Sequence, residues 1–103
     1  MEERLAKGTI RHIILFKLYE GTDSQKEAKA VSLLKALGEG NEEILEWRIA
    51  RSIDTRKGII VIENGLFKNE EAYERFRKSD KHSEIVKFMS QIADWTVGDY
   101  IDD

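Results

Sequence analysis

The chain contains no cysteine among its 103 residues. That absence excludes a disulfide framework, a thiolate metal site and a cysteine nucleophile, and leaves packing or association to stabilise a small domain. No run approaches the roughly 18 apolar residues needed to span a bilayer. The opening MEERLAKGTIRH carries Glu2, Glu3, Arg4 and Lys7 without a continuous apolar stretch, so an ordinary secretory signal is not expected. An excess of positive charge is missing too: 17 Lys and Arg face 20 Asp and Glu, a net charge of −3, whereas nucleic-acid binding draws most of its affinity from a basic face. Gly38-x-Gly40 lacks the third glycine and preceding strand of a dinucleotide loop, and no serine sits in a nucleophile elbow. The two histidines lie far apart with no close acidic pattern and do not make a metal motif. The expectation is a cytoplasmic protein with no cofactor, no metal, no nucleic-acid partner and no membrane association.

What is present reads as one domain, expected over 9–101, with 1–8 and the last two residues as tails. Thr9–Tyr19 is rich in Ile and Phe, with Ile10, His12, Ile14, Phe16 and Leu18 on one face. Arg11, Ile13, Leu15, Lys17 and Tyr19 occupy the other. Ser24 and Glu27 fit a capping box for a helix carrying Ala28, Val31, Leu34 and Leu37, widened by Leu33. Gly38 and Gly40 suit its end. Ile44–Ile53 alternates, placing Leu45, Trp47, Ile49 and Ile53 together. Asp54–Gly58 reads as a hairpin turn into Gly58–Phe67, whose Ile59–Ile62 run is too apolar for a strand wetted on one side. Asn69 can cap a second helix with Ala72, Tyr73 and Phe76. Ser79-Asp80 breaks it, and either residue can cap a continuation through Ile85, Phe88, Met89 and Ile92. Trp95–Ile101 closes as a strand. The order β-α-β-β-α-β is the split βαβ pattern of an α+β, ferredoxin-like fold with a four-stranded antiparallel sheet.

Two helices cover only one face of such a sheet. The other face would expose the Ile13 and Leu15 set or the Ile14 and Phe16 set, with half of the Ile59–Ile62 run. A contiguous apolar patch of that extent is uncommon on a monomer, so a homodimer joined through the sheet face is expected.

Three separated blocks carry a resemblance over about Thr9 to Tyr100. RHIILFKL (Arg11–Leu18), LFKNEEAYERFRKSDKHSEIVKF (Leu66–Phe88) and ADWTVGDY (Ala93–Tyr100) resemble the stress-responsive dimeric α/β-barrel domain, Dabb. The resemblance implies a ferredoxin-like subunit whose sheets pair across a dimer axis. Related families include polyketide cyclases, small monooxygenases and members with no assigned reaction. His12 matches the first-strand histidine of many members. Ser79-Asp80-Lys81-His82 stands where the family has His-Pro-Ala-His, so only the second histidine, His82, survives. The tyrosine that precedes this motif in cyclases corresponds to Phe76. One hydroxyl and one imidazole are thereby lost, which counts against the cyclase reaction.

The candidate catalytic residues are His82 and His12, and the candidate ligand-binding residues are Phe16, Trp47, Tyr73, Phe76 and Phe88. An imidazole titrates near neutral pH and suits general base work, while apolar small-molecule sites are lined by aromatics. Tyr73 lies one turn before Phe76 and can supply a hydroxyl. Glu63 and Asn64 can be polar pocket groups, with their faces undecided. Asp99-Tyr100 resembles a closing pair of structural character. Two functions follow. One is a homodimeric small-molecule-binding domain with stress-related roles and no reaction of its own. The other is an enzyme of the cyclase, isomerase or small monooxygenase type on a hydrophobic, carbonyl-containing ligand, where His82 abstracts a proton and His12 orients the oxygen. The enzyme requires both imidazoles to face one cavity. An RNA-recognition sheet of the same strand order needs exposed aromatics and a basic face, where these strands place apolar groups.

Overall fold

The computed structural model describes residues 8–102. Most of the expected N-terminal tail lies outside that range. Strands β1 (Ile10–Leu18), β2 (Ile44–Arg51), β3 (Ile60–Phe67) and β4 (Ala93–Ile101) form one antiparallel sheet in the order β2-β3-β1-β4. Helices α1 (Ser24–Leu37), α2 (Glu70–Arg77) and α3 (Asp80–Ile92) pack on one side of it. Asp102, expected in the tail, instead continues the β1–β4 pairing: its amide donates to the Thr9 carbonyl, and its own carbonyl accepts from the Thr9 hydroxyl.

Local chemistry sets each helix start. Asp23, not Ser24, caps α1, accepting a hydrogen bond from the Lys26 amide. A carboxylate there also meets the positive end of the helix dipole. Asn69 caps α2 through the Ala72 amide, and Ser79 caps α3 through the His82 amide. The Ser79 cap places His82 in the first turn of α3, facing back toward α2 and the sheet. On α1 the buried stripe is Ala30, Leu34 and Leu37, while Ala28 is exposed.

The helix-facing side of β1 is Ile10, His12, Ile14, Phe16 and Leu18, all buried. They meet Val61 and Phe67 of β3, Ile49 of β2, and Leu34, Phe76, Ile85, Met89 and Ile92 of the helices. Leu45 does not share the side of Trp47, because a register shift between Ile44 and Glu46 turns it outward. Ile53 lies beyond the strand end and is fully exposed.

The opposite side carries Ile13, Leu15, Ile60, Ile62, Leu66 and Tyr100, partly or largely open to solvent. Leu15 and Tyr100 are 42% and 53% exposed. Polar groups border and interrupt this apolar patch: Arg11 bonds Glu46, Asn64 and Asp102 at one end, Arg48 stands across from Asn64, and Lys17, Asp94 and Thr96 lie toward the other end. No helix among the described residues is long and apolar enough to cross a membrane.

Trp47 is wedged between Gly38 and Gly65, and its indole nitrogen donates to the Leu34 carbonyl at 2.9 Å. A methyl group on residue 65 would lie 2.7 Å from the Trp47 ring. Gly65→Ala should therefore destabilise the fold by about 1–3 kcal/mol through overpacking, read as a lower urea midpoint at unchanged slope.

Candidate active site

His12 occupies the centre of the helix-covered face. Its cross-strand neighbour on β4 is Asp99, and on β3 it is Gly65. Asp99 therefore lies alongside the ring, with Oδ1 2.7 Å from Nδ1. Gly65 offers no side chain on the other flank. The ring reaches instead to Glu63, two residues along β3 on the same face, with Oε2 2.7 Å from Nε2. Helix α2 covers the group with Tyr73, whose hydroxyl donates to Asp99 Oδ2 at 2.7 Å and lies 3.1 Å from His12 Nδ1. His12 and Glu63 are 3% and 1% exposed. Ionised carboxylates only accept, so with both of them charged the two ring nitrogens both donate, which is the imidazolium form.

Burial works against that charge, but the hydrogen bonds and attraction of Glu63, then of Asp99, outweigh it and hold His12 above its ordinary pKa. For Tyr73, burial and the bond to Asp99 keep the hydroxyl protonated far above the usual phenol range. His82 moves the other way. Burial lowers its pKa; Glu63 opposes the shift, while the charges of His12 and Arg77 reinforce it. Its ring packs edge-on against Phe76, centroids 5.1 Å apart, and forms no hydrogen bond among the described residues. The site thus holds a charged imidazole locked between carboxylates and a neutral one with an open lone pair.

Both rings line one cavity of about 240 Å³ between the helices and the sheet. For scale, an apolar cavity of roughly 150 Å³ admits benzene. Glu63, Tyr73, Arg77 and Asp99 join the histidines at its polar end. Ile14, Phe16, Leu34, Leu37, Ile85, Val86, Met89, Trp95 and Val97 form the apolar remainder. All of these lie on the helix-covered side of the sheet, so the cavity is on the face opposite the one left open. Among the described residues, no three His, Asp or Glu side chains converge as a metal-ion site.

Of the expected ligand-binding aromatics, Phe16 and Tyr73 line this cavity. Trp47, Phe76 and Phe88 do not. Trp47 fills the space over Gly65 and touches Phe67 and Phe76. Phe76 stands behind the two imidazoles as packing. Phe88 faces outward on α3 beneath the Lys29 ammonium, in a shallow groove between α1 and α3. Sequence reasoning left the face of Glu63 open, took Asp99 as structural and passed over Arg77. Glu63 shares strand parity with Val61 and Phe67, a signal that could have placed it inward. Arg77, on a solvated helix end, offered none.

Fold and site together define a class: a ferredoxin-like domain with a half-apolar, half-titratable pocket beneath its helices. The family model described as "Stress responsive A/B Barrel Domain" matches residues 10–102, and the chain belongs to that family. No curated protein matches it. Solved structures share the fold at low identity. A Dabb family protein from Mesorhizobium loti has a TM-score of 0.79 at 19% identity, covering 93% of this chain and 98% of that one. A dimeric ferredoxin-like protein of unknown function from Thermobifida fusca scores 0.82 at 12%, covering 92% of each chain. The hydroxynitrile lyase of Passiflora edulis scores 0.81 at 16%, covering 94% of this chain and 95% of its own.

Proposed function

We propose that the protein is a homodimeric cytoplasmic enzyme that moves a proton on a small, largely apolar, carbonyl-containing ligand, with His82 as general base. One observation carries this reading: two imidazoles reach the same cavity, and one of them offers an unengaged nitrogen beside the other's fixed charge. A neutral imidazole at physiological pH is ready to accept a proton, while the apolar wall excludes water and orients the ligand body. His12 acts as a buried positive charge that orders Glu63, Asp99 and Tyr73. With both nitrogens on carboxylates, it has no N–H left for a ligand oxygen.

The test uses 1-indanone, a compact apolar ketone, in deuterated buffer. Loss of its α-proton signal by NMR should be faster with the protein than with the same concentration of free imidazole. Replacement of His82 by glutamine should return it to the buffer rate. Exchange no faster than imidazole's would remove the enzyme and leave a binding domain.

Association rests on the uncovered sheet face. Burying Ile13, Leu15, Ile62 and Leu66 against a second copy removes an apolar patch that water would otherwise cover, and the Thermobifida relative is described as dimeric. Sedimentation at micromolar concentration should give twice the 11.9 kDa chain mass. Ile62→Asp should shift it to the monomer by placing a charge in the contact. A wild-type chain that sediments singly would refute the dimer.

A further inference from the structure

An oxyanion formed in this cavity needs a donor, and the two obvious ones are engaged. His12 holds its hydrogens on Glu63 and Asp99, and the Tyr73 hydroxyl donates to Asp99. Trp95 also lines the cavity, but its residue lies four positions along β4 from Asp99, about 13 Å away at 3.3 Å per residue. Arg77 remains. It ends α2 at the polar end of the cavity, with its guanidinium carbon 5.4 Å from the centre of the Tyr73 ring. Its ion pair with Glu74 is long, at 3.8 Å, and its side chain is 51% exposed. The guanidinium also interacts with the Tyr73 hydroxyl, but it has five N–H donors, and a pair with Glu74 beyond hydrogen-bond range leaves others for a ligand.

Charge points the same way. Glu63, Asp99 and the His12 imidazolium sum to one negative charge, which would repel an anionic intermediate. Arg77 is the cation on the cavity wall that cancels it.

We propose that Arg77 is a catalytic residue that binds the oxyanion of the ligand at the cavity mouth while His82 takes the proton. The proposal rests on the acid–base reading above. In the step, the C–H bond α to a carbonyl breaks and its proton passes to the open nitrogen of His82. The bonding pair becomes the carbon–carbon double bond of an enolate, and the carbonyl π pair settles on oxygen against the guanidinium. Return of the proton from His82 completes the cycle, with no oxidant or reductant required.

The probe is 4-nitrophenol, whose phenolate absorbs visible light and whose phenol does not. Near the midpoint of its free titration, binding to the wild type should raise the visible absorbance. Arg77→Gln should weaken phenolate binding about fivefold or more, as loss of one charge-assisted hydrogen bond implies. Arg77→Lys should recover part of it. Binding that shifts the amide resonances of Phe16 and Met89 equally in wild type and Arg77→Gln, with the same absorbance, would overturn the Arg77 assignment and spare the pocket. If the probe moves neither resonance in the wild type, the pocket reading fails and the Arg77 role with it.

Discussion

Glu63→Ala is expected to lower the unfolding free energy by about 3–5 kcal/mol, the usual consequence of removing one partner from a buried ion pair. Domains of this kind are stable by only about 5–15 kcal/mol, so the loss takes a large share. The cause is desolvation. His12 is nearly fully enclosed, and Glu63 is the more buried of its two carboxylate partners. Without Glu63 the imidazolium keeps Asp99 but loses its Nε2 acceptor on the wall of a largely apolar cavity. Glu63→Gln retains an acceptor oxygen and should lose less. Urea unfolding of the three proteins would measure the order. Equal midpoints for wild type and Glu63→Ala would mean that the buried pair does not stabilise the fold.

The same experiment carries a pH signature. His12 is held above its ordinary pKa of 6.5, so the folded chain binds this proton more tightly than the unfolded one. Its stabilisation is complete below that ordinary value and fades as pH rises through the folded pKa. His82 is held below 6.5, and its contribution is present above the ordinary value and lost as pH falls toward the folded pKa. Wild-type stability should therefore decline on both sides of neutrality. His12→Phe should flatten the alkaline limb, and His82→Gln the acid limb.

Replacing His82 with glutamine should slow deuterium exchange of the indanone probe by about 10²–10⁴-fold, the range ascribed to a positioned general base. The affinity for ligand should change far less, since the apolar wall is untouched. The wild-type rate should be flat through neutral pH and fall only on the acid side of the ordinary histidine range, because the ring that must be neutral is already so. A rate that instead rises through neutrality would assign the base to another group. A rate unchanged by His82→Gln would exclude this residue.

Much of the frame was legible in the chain. Period-two alternation marked the strands, and the apolar run at Ile59–Ile62 marked the start of β3. Polar caps at Asn69 and Ser79 marked the two helix starts after β3. The errors were local. Asp23 competed with Ser24 for the first cap, and one outward-turned residue, Leu45, broke the alternation of β2. Among the polar site residues, His12 was legible as a polar group standing out in an apolar strand, and His82 through the family resemblance. Aromatics were a poor guide: Phe16 and Tyr73 line the cavity, whereas Trp47, Phe76 and Phe88 serve packing or face outward.

By itself, the sequence determined which residues share a strand face or a helix stripe, because those relations follow from backbone periods of a few residues. Only the tertiary structure decided that Asp99 stands beside His12, that Gly65 leaves the gap through which Glu63 is reached, and that Arg77 and His82 meet the same cavity. Strand register joins His12 to Asp99 across 87 positions of sequence, and no local pattern encodes which distant residues become neighbours. The proposed chemistry depends on those long-range pairings, while the architecture was already written in the short-range ones.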